Sequence, residues 1–162
     1  MMKYIRYGLF MLFAWLIPGL SLANPNSIAF AHNLQKDAQV AQHKGVPILI
    51  IFTSPDCSYC EVVMKNYLIP MQRNREYANK VIMRRVEINS IQPMTDFAGK
   101  TTTPQQYAAQ FKIKITPVII VYTPDGMPAA DPLVGLGPAD YYGGNLDSVI
   151  DAGLAKMHAA GH

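Results

Sequence analysis

The 162-residue sequence holds only two cysteines and four histidines, and 15% of its residues are charged. Each shortage excludes something. Two cysteines cannot staple a chain of this length into a disulfide scaffold. The histidines (His32, His43, His158 and His162) show no ligand spacing, and a zinc site wants four ligands. Basic residues form no cluster, which argues against a nucleic-acid surface; the isolated pair Arg84-Arg85 reads as a solvated strand edge. No internal repeat, low-complexity segment or second domain is visible, and no metal or cofactor is expected.

What is present begins with a leader. Met1 to Gly8 carries Lys3 and Arg6 and no acid, Leu9 to Leu20 is almost entirely apolar, and Ser21-Leu22-Ala23 puts small residues at the −3 and −1 positions. That is the layout of a secretory signal cleaved after Ala23, leaving a single domain over 24–162. The apolar run is short for a bilayer span and contains Pro18. No cysteine follows the cleavage site, so a lipid anchor is not indicated. The full chain has a net charge of +3 from 14 basic and 11 acidic residues; without Lys3 and Arg6, 12 basic residues face 11 acidic ones, leaving +1.

Both cysteines stand in one place. The apolar run Val46 to Ile51 reads as a buried strand, Ser54-Pro55-Asp56 breaks it, and helical spacing follows from Cys57. In Cys57-Ser58-Tyr59-Cys60 two sulfurs share one helical turn, the first at the helix N-terminus, where free N–H groups and the macrodipole favour a thiolate. An accessible thiolate beside a resolving thiol is the working part of a dithiol–disulfide exchanger. Outside the cytosol such a pair can persist oxidised.

Around this stretch the sequence predicts a helix from Ile28 to Gln42 and a strand from Ile48 to Phe52. The stripe Cys60, Val63, Met64, Tyr67, Leu68 and Met71 then marks a core-facing helix, ended or kinked by Pro70 near Leu68 or Ile69. A second strand over Val81 to Ile88 precedes a polar connection from Asn89 to Thr102. Thr103-Pro104-Gln105-Gln106 is a helix start with a capping box. A third strand spans Lys114 to Tyr122, Asp125-Gly126 signals a hairpin to an edge strand near Leu133 and Val134, and Leu146, Val149, Ile150, Leu154 and Met157 stripe a final helix. Early strands alternating with helices imply parallel pairing and the hairpin antiparallel pairing, hence an α/β fold with a mixed central sheet and helices on both faces.

Three marks together, the Cys57 to Cys60 motif after the first strand, Thr116-Pro117 opening a later one and Val134-Gly135 near the last, resemble the thioredoxin superfamily over nearly all of the mature chain. The resemblance implies a thioredoxin fold, a cis Pro117 facing the active-site disulfide, and a Thr116 backbone that faces substrate. The motif is most similar to exported members with an aromatic third residue, the periplasmic reductases and the catalytic domains of disulfide isomerases. The isomerases add a dimerisation domain that this chain has no room for, which favours a monomer. One departure matters: Ile51 stands where ordinary thioredoxins bury a proton-accepting Asp, six residues before the first cysteine.

The expected chemistry is therefore attack by Cys57 on a substrate disulfide and resolution of the mixed disulfide by Cys60. Ser58 and Tyr59 are the substrate-side candidates of the motif, with Tyr59 either shaping a groove or packing against the helix. Asp56 either caps the helix or is plain loop polarity; Glu61 and Glu87 are the nearest substitutes for the absent acid. The expected partners are proteins with disulfides or thiols and, by resemblance, a membrane thiol-electron transporter that keeps a periplasmic reductase reduced. The competing expectation is a thioredoxin-fold binding module or copper/zinc-handling chaperone that uses the cysteines as ligands.

Overall fold

Strand β1, Ile48–Thr53, is buried along its whole length, and the other layers are arranged around it. The computed structural model describes residues 26–159, so the leader expected at 1–23 and its cleavage point lie outside the described residues. β1 pairs in parallel with β2, Ile82–Glu87, in a register running from Ile48↔Ile82 to Thr53↔Glu87. On its other side it pairs antiparallel with β5, Val118–Tyr122, from Ile48↔Tyr122 to Phe52↔Val118. The short β6, Leu133–Val134, pairs antiparallel with β5 and completes the order β2-β1-β5-β6.

A central strand covered on both faces needs an unbroken apolar run rather than alternation, which is what Ile48 to Phe52 supplies. Its side chains still divide by parity. Leu49 and Ile51 join a core with α2 (Ser58–Val63) and α6 (Ala139–Ala159); Ile48, Ile50 and Phe52 join another with α1 (Leu34–Lys44) and α5 (Pro104–Gln110). Layer spacing is close enough at one point to require glycine. A Cβ on Gly153 of α6 would lie 2.8 Å from Pro47 and Val121 side-chain carbons.

Several expectations need correction. The first helix begins at Leu34, not Ile28, because the Asn33 carboxamide caps it by accepting the Lys36 N–H at 2.8 Å. Residues 29–31 are extended beside β2: Ala31 N–H donates to the Arg85 carbonyl at 2.9 Å, and Arg85 N–H to that of Ala29 at 2.8 Å. β2 is therefore no open edge, and neither arginine is merely solvated. Arg84 holds Asp37 of α1 through Nε at 2.8 Å and Nη2 at 2.5 Å. Arg85 lies over the Phe30 ring and donates to Thr53 Oγ1 at 2.9 Å.

Second, of the two outcomes expected at Pro70, the helix does not end; its regular ladder is interrupted, as expected near Leu68 and Ile69. After α2 the chain widens into a π turn, Met64–Leu68, in which Ile69 N–H reaches back to the Met64 carbonyl. This places Pro70 in the first turn of α3, Ile69–Arg73, where its missing N–H leaves no bond unmade. Third, the polar connection after β2 holds two strands not expected from the sequence, Met94–Thr95 (β3) and Thr101–Thr102 (β4), which pair antiparallel. Fourth, β5 runs opposite to β1. The segment from Ile88 to Pro117 departs from the end of the sheet where β1 and β2 finish and returns to that same end, since Phe52 faces Val118. The Thr103 cap holds as expected, its hydroxyl accepting the Gln106 N–H at 3.2 Å, but the Gln106 side chain takes a bond from Thr102 instead of closing the box.

A last helical turn, α4 (Arg75–Ala78), is tied to α6 by the Tyr77 hydroxyl, which donates to Asp147 Oδ1 at 2.5 Å.

Two outcomes follow from this packing. Gly153→Ala forces backbone or Pro47 to move and should lower stability by about 1–3 kcal/mol in urea unfolding. The bond to Asp147, with burial, pushes the Tyr77 pKa up to about 12 from 10.0. A phenol whose folded-state pKa is raised contributes stability that is complete below pH 10 and is lost as pH rises through 12. Urea midpoints measured across that window should fall less steeply for Tyr77→Phe than for wild type, whose slope would otherwise owe nothing to this bond.

Candidate active site

The site is built where β1 ends. Ser54-Pro55-Asp56-Cys57 turns the chain from strand to helix, with Asp56 in the left-handed region at φ 55°. Asp is one of the few side chains that tolerates this conformation. The cap of α2 is Cys57 itself, whose Sγ accepts the Cys60 N–H at 3.2 Å, so of the two expected roles of Asp56 capping is removed and loop polarity is left. Cys57 and Cys60 form a disulfide across a Cα–Cα distance of 5.2 Å.

The two sulfurs have different surroundings. Cys57 is half-buried; Cys60 is 1% exposed in the core that holds Leu49, Ile51 and Val63. Ile51 is wholly buried in that core, so the floor below Cys60 is apolar. The antiparallel return of the chain brings Thr116 to Cys57, and its hydroxyl donates to Sγ at 3.4 Å. The same hydroxyl lies 2.7 Å from Ser54 Oγ. The Thr116–Pro117 peptide bond is cis, and the Pro117 carbonyl accepts the Gly135 N–H at 2.8 Å, which ties the segment to the end of β6.

Cys57, Cys60, Thr116 and Pro117 are thus gathered at one end of the sheet, and Ser58 and Tyr59 stand exposed on the first turn of α2. Tyr59 is 62% exposed and does not pack against its helix, which removes one of its two expected roles. Glu61 is paired on the helix surface with Lys65 at 3.2 Å, and Glu87 accepts from Arg85 at 3.4 Å. The Thr53 hydroxyl is buried on this side of β1 and is held by Arg85. Among the described residues no three His, Cys, Asp or Glu side chains come together as a metal site.

Ser54 was not singled out from the sequence, where Ser-Pro-Asp reads only as a breaker. A signal was available in the register: Phe52 faces Val118, so continuing the antiparallel ladder two residues outward sets Ser54 opposite Thr116. It could be used only once the direction of β5 was known.

A family model described as a thioredoxin-like domain matches residues 34–150. The chain belongs to this family. As a thioredoxin-like domain with a disulfide-forming Cys-x-x-Cys at the head of its second helix, it is a thiol–disulfide oxidoreductase. Solved thioredoxins share the fold at low identity. NaTrxh of Nicotiana alata superposes with a TM-score of 0.54 at 13% identity, covering 82% of this chain and 97% of that one. The Malassezia sympodialis thioredoxin Mala s 13 gives 0.53 at 15%, covering 79% and 94%, and the poplar thioredoxin PtTrxh4 gives 0.52 at 17%, covering 74% and 96%. No curated protein matches the sequence significantly.

The left-handed Asp56 carries a testable consequence for this thioredoxin-like site. Asp56→Gly should leave thermal stability near the wild-type value, whereas Asp56→Val, β-branched at a positive φ, should cost about 1–2 kcal/mol. Equal melting temperatures for both variants would contradict the assignment of strain to this residue.

Proposed function

We propose that the protein, freed of residues 1–23, works in the periplasm as a monomeric reductase of protein disulfides. The observation that carries the assignment of roles is the asymmetry of the two sulfurs. Cys57 Sγ receives a helix N–H and a hydroxyl, both of which favour a thiolate; Cys60 is enclosed by hydrocarbon, which disfavours one. In the reduced protein Cys57 is therefore the nucleophile. Its thiolate attacks a substrate disulfide, forming a mixed disulfide and releasing one substrate thiolate, which takes a proton from water. Cys60 then loses its proton and attacks Cys57 Sγ, which releases the second substrate thiolate and leaves the Cys57–Cys60 disulfide. The substrate has gained two electrons and the protein has lost them.

Substrate is received where Ser58 and Tyr59 stand exposed, against the half-buried Thr116 that bonds Cys57 and the buried Pro117 that follows it. The three-part layout of the leader supports export. In a compartment that keeps thiols oxidised, a dithiol spent on substrates has to be reduced again by a donor supplied from inside, and a membrane thiol-electron transporter fits that need.

Reduction of insulin by dithiothreitol tests the exchange chemistry. Wild type should accelerate it, Cys57→Ser should fall to the uncatalysed rate, and Cys60→Ser should accumulate a covalent adduct with insulin on a non-reducing gel. Equal rates for wild type and Cys57→Ser would remove the reading, and stoichiometric copper or zinc uptake in its place would make the cysteines ligands. Direction is read separately from the equilibrium with glutathione; a strongly oxidising dithiol would replace "reductase" with "oxidase". N-terminal sequencing of the exported protein checks the leader, with Asn24 as the expected first residue.

A further inference from the structure

Ser54 takes no part in the exchange steps, yet its hydroxyl is bonded to Thr116, the residue outside the motif that hydrogen-bonds Cys57 Sγ among the described residues. Ser54 Oγ and Thr116 Oγ1 are 2.7 Å apart, and Thr116 Oγ1 donates to Cys57 Sγ at 3.4 Å. A hydroxyl has a single proton to give. With the Thr116 proton committed to sulfur, Thr116 meets Ser54 as an acceptor, and Ser54 is the donor of that pair. The order of donation is Ser54 O–H to Thr116 Oγ1, then Thr116 O–H to Cys57 Sγ.

We propose that Ser54 is a positioning residue for disulfide exchange: acting through Thr116, it holds the Thr116 proton on Cys57 Sγ and stabilises the thiolate of the reduced protein. The proposal rests on the exchange reading above and deepens it. Its placement is a product of the sheet, since the register that pairs Phe52 with Val118 sets 54 opposite 116 beyond the ladder's end. Both side chains are partly buried, so water competes weakly for these hydroxyls. A thiolate accepts a hydrogen bond more strongly than a thiol or a disulfide sulfur does, and consecutive bonds polarise one another. Removing the Ser54 hydroxyl weakens the second bond and frees the Thr116 hydroxyl to rotate away. The relay makes and breaks no covalent bond and moves no electron; it changes only how stable the thiolate is relative to the thiol and the disulfide.

The sign follows. Without Ser54 the Cys57 pKa rises, the reduced form loses stability at neutral pH, and the dithiol becomes a stronger reductant with less thiolate available. The charged groups on the elements around Cys57 are Asp56 beside it, Glu61 on α2, paired with Lys65, and the exposed Lys114 ahead of Thr116. Among the described residues none of these bonds to Sγ, whose partners are the Cys60 N–H and Thr116. All are retained in the variants, so a difference between variants reports the hydroxyl chain.

The experiment measures the Cys57 pKa of the reduced protein from the pH dependence of its alkylation by iodoacetamide, and the equilibrium constant with glutathione from pH 4 to 8. Ser54→Ala should raise the pKa by roughly half a unit and Thr116→Val by about one unit, the ordinary worth of one hydrogen bond and of one to a charged acceptor. The double variant should match Thr116→Val alone, because Ser54 has no route to sulfur without Thr116. Ser54→Thr, which keeps the hydroxyl, should stay near wild type. The glutathione constants should differ near neutral pH and converge below the Cys57 pKa, where every variant carries a thiol. An unchanged pKa in Ser54→Ala, with or without a lower melting temperature, would overturn the proposal, as would full additivity in the double variant or a pH-independent shift in the glutathione constant. Alkylation needs no substrate, so a wild type unable to reduce insulin would remove the exchange reading while the relay is still decided by the Cys57 pKa.

Discussion

The antiparallel pairing of β1 with β5 is the constraint on which the site depends. A βαβ unit alone would give the Cys57 turn at the end of β1 and leave the start of the next strand at the far end of the sheet. Because the chain from Ile88 to Pro117 leaves and re-enters at one end, β5 starts where β1 stops, and Phe52 faces Val118. Everything chemical then lies just beyond that last pair, with Ser54 to Cys60 on one side and Thr116-Pro117 on the other. The sheet beneath is rigid for the ordinary reason. Ile48 to Phe52 are wholly buried on both faces, and each such side chain removed from water contributes about 1.5–3 kcal/mol before entropy is counted. The turn that carries the sulfurs is thus anchored on buried hydrocarbon at the end of β1.

That division of labour explains what could be read from the chain in advance. Signals carried within one element were legible: the apolar run of β1, the Thr103 cap, the Asp125-Gly126 turn, the stripe of α6 and the Cys57-x-x-Cys60 spacing. What failed involved elements meeting. Ile28 to Ala31 has helix-compatible residues, but unpaired donors and acceptors on β2 claimed it, and only the cap at Asn33 marked the true start. Arg84-Arg85 looks like solvated polarity in one dimension; in three, the first arginine locks α1 to the sheet and the second covers Phe30 and holds Thr53. Pro70 breaks an ideal helix ladder, but a π turn shifts the ladder by one residue and lets the helix continue.

The same distinction applies within the site. Cys57 and Cys60 were legible because their chemistry and spacing are local, and Thr116 and Pro117 because a family resemblance supplied the long-range partner. Ser54 had neither advantage. Its part emerges from strand direction and register, properties that no short window of sequence holds. Tyr59 shows a further kind of limit: an aromatic residue on an amphipathic helix is compatible with core or surface, and only the rotation of α2 about its axis, set by Cys60 and Val63 facing inward, sends it to solvent.

Ile51 sharpens what the site can do. A carboxylate beneath the second cysteine would give Cys60 a proton acceptor as it becomes the nucleophile; an isoleucine gives it none, Glu61 and Glu87 are paired with Lys65 and Arg85, and Asp56 stands exposed beside Cys57. On the other sulfur, one hydrogen bond to a thiolate is worth about 1.5–3 kcal/mol, and about 1.4 kcal/mol changes a two-electron equilibrium tenfold. Under the proposed relay, one or two hydroxyl protons at Cys57 set the balance between giving and taking electrons. With hydrocarbon beneath Cys60, the polar groups bonded to the sulfurs among the described residues are the Cys60 N–H and the Thr116 hydroxyl, both on Cys57.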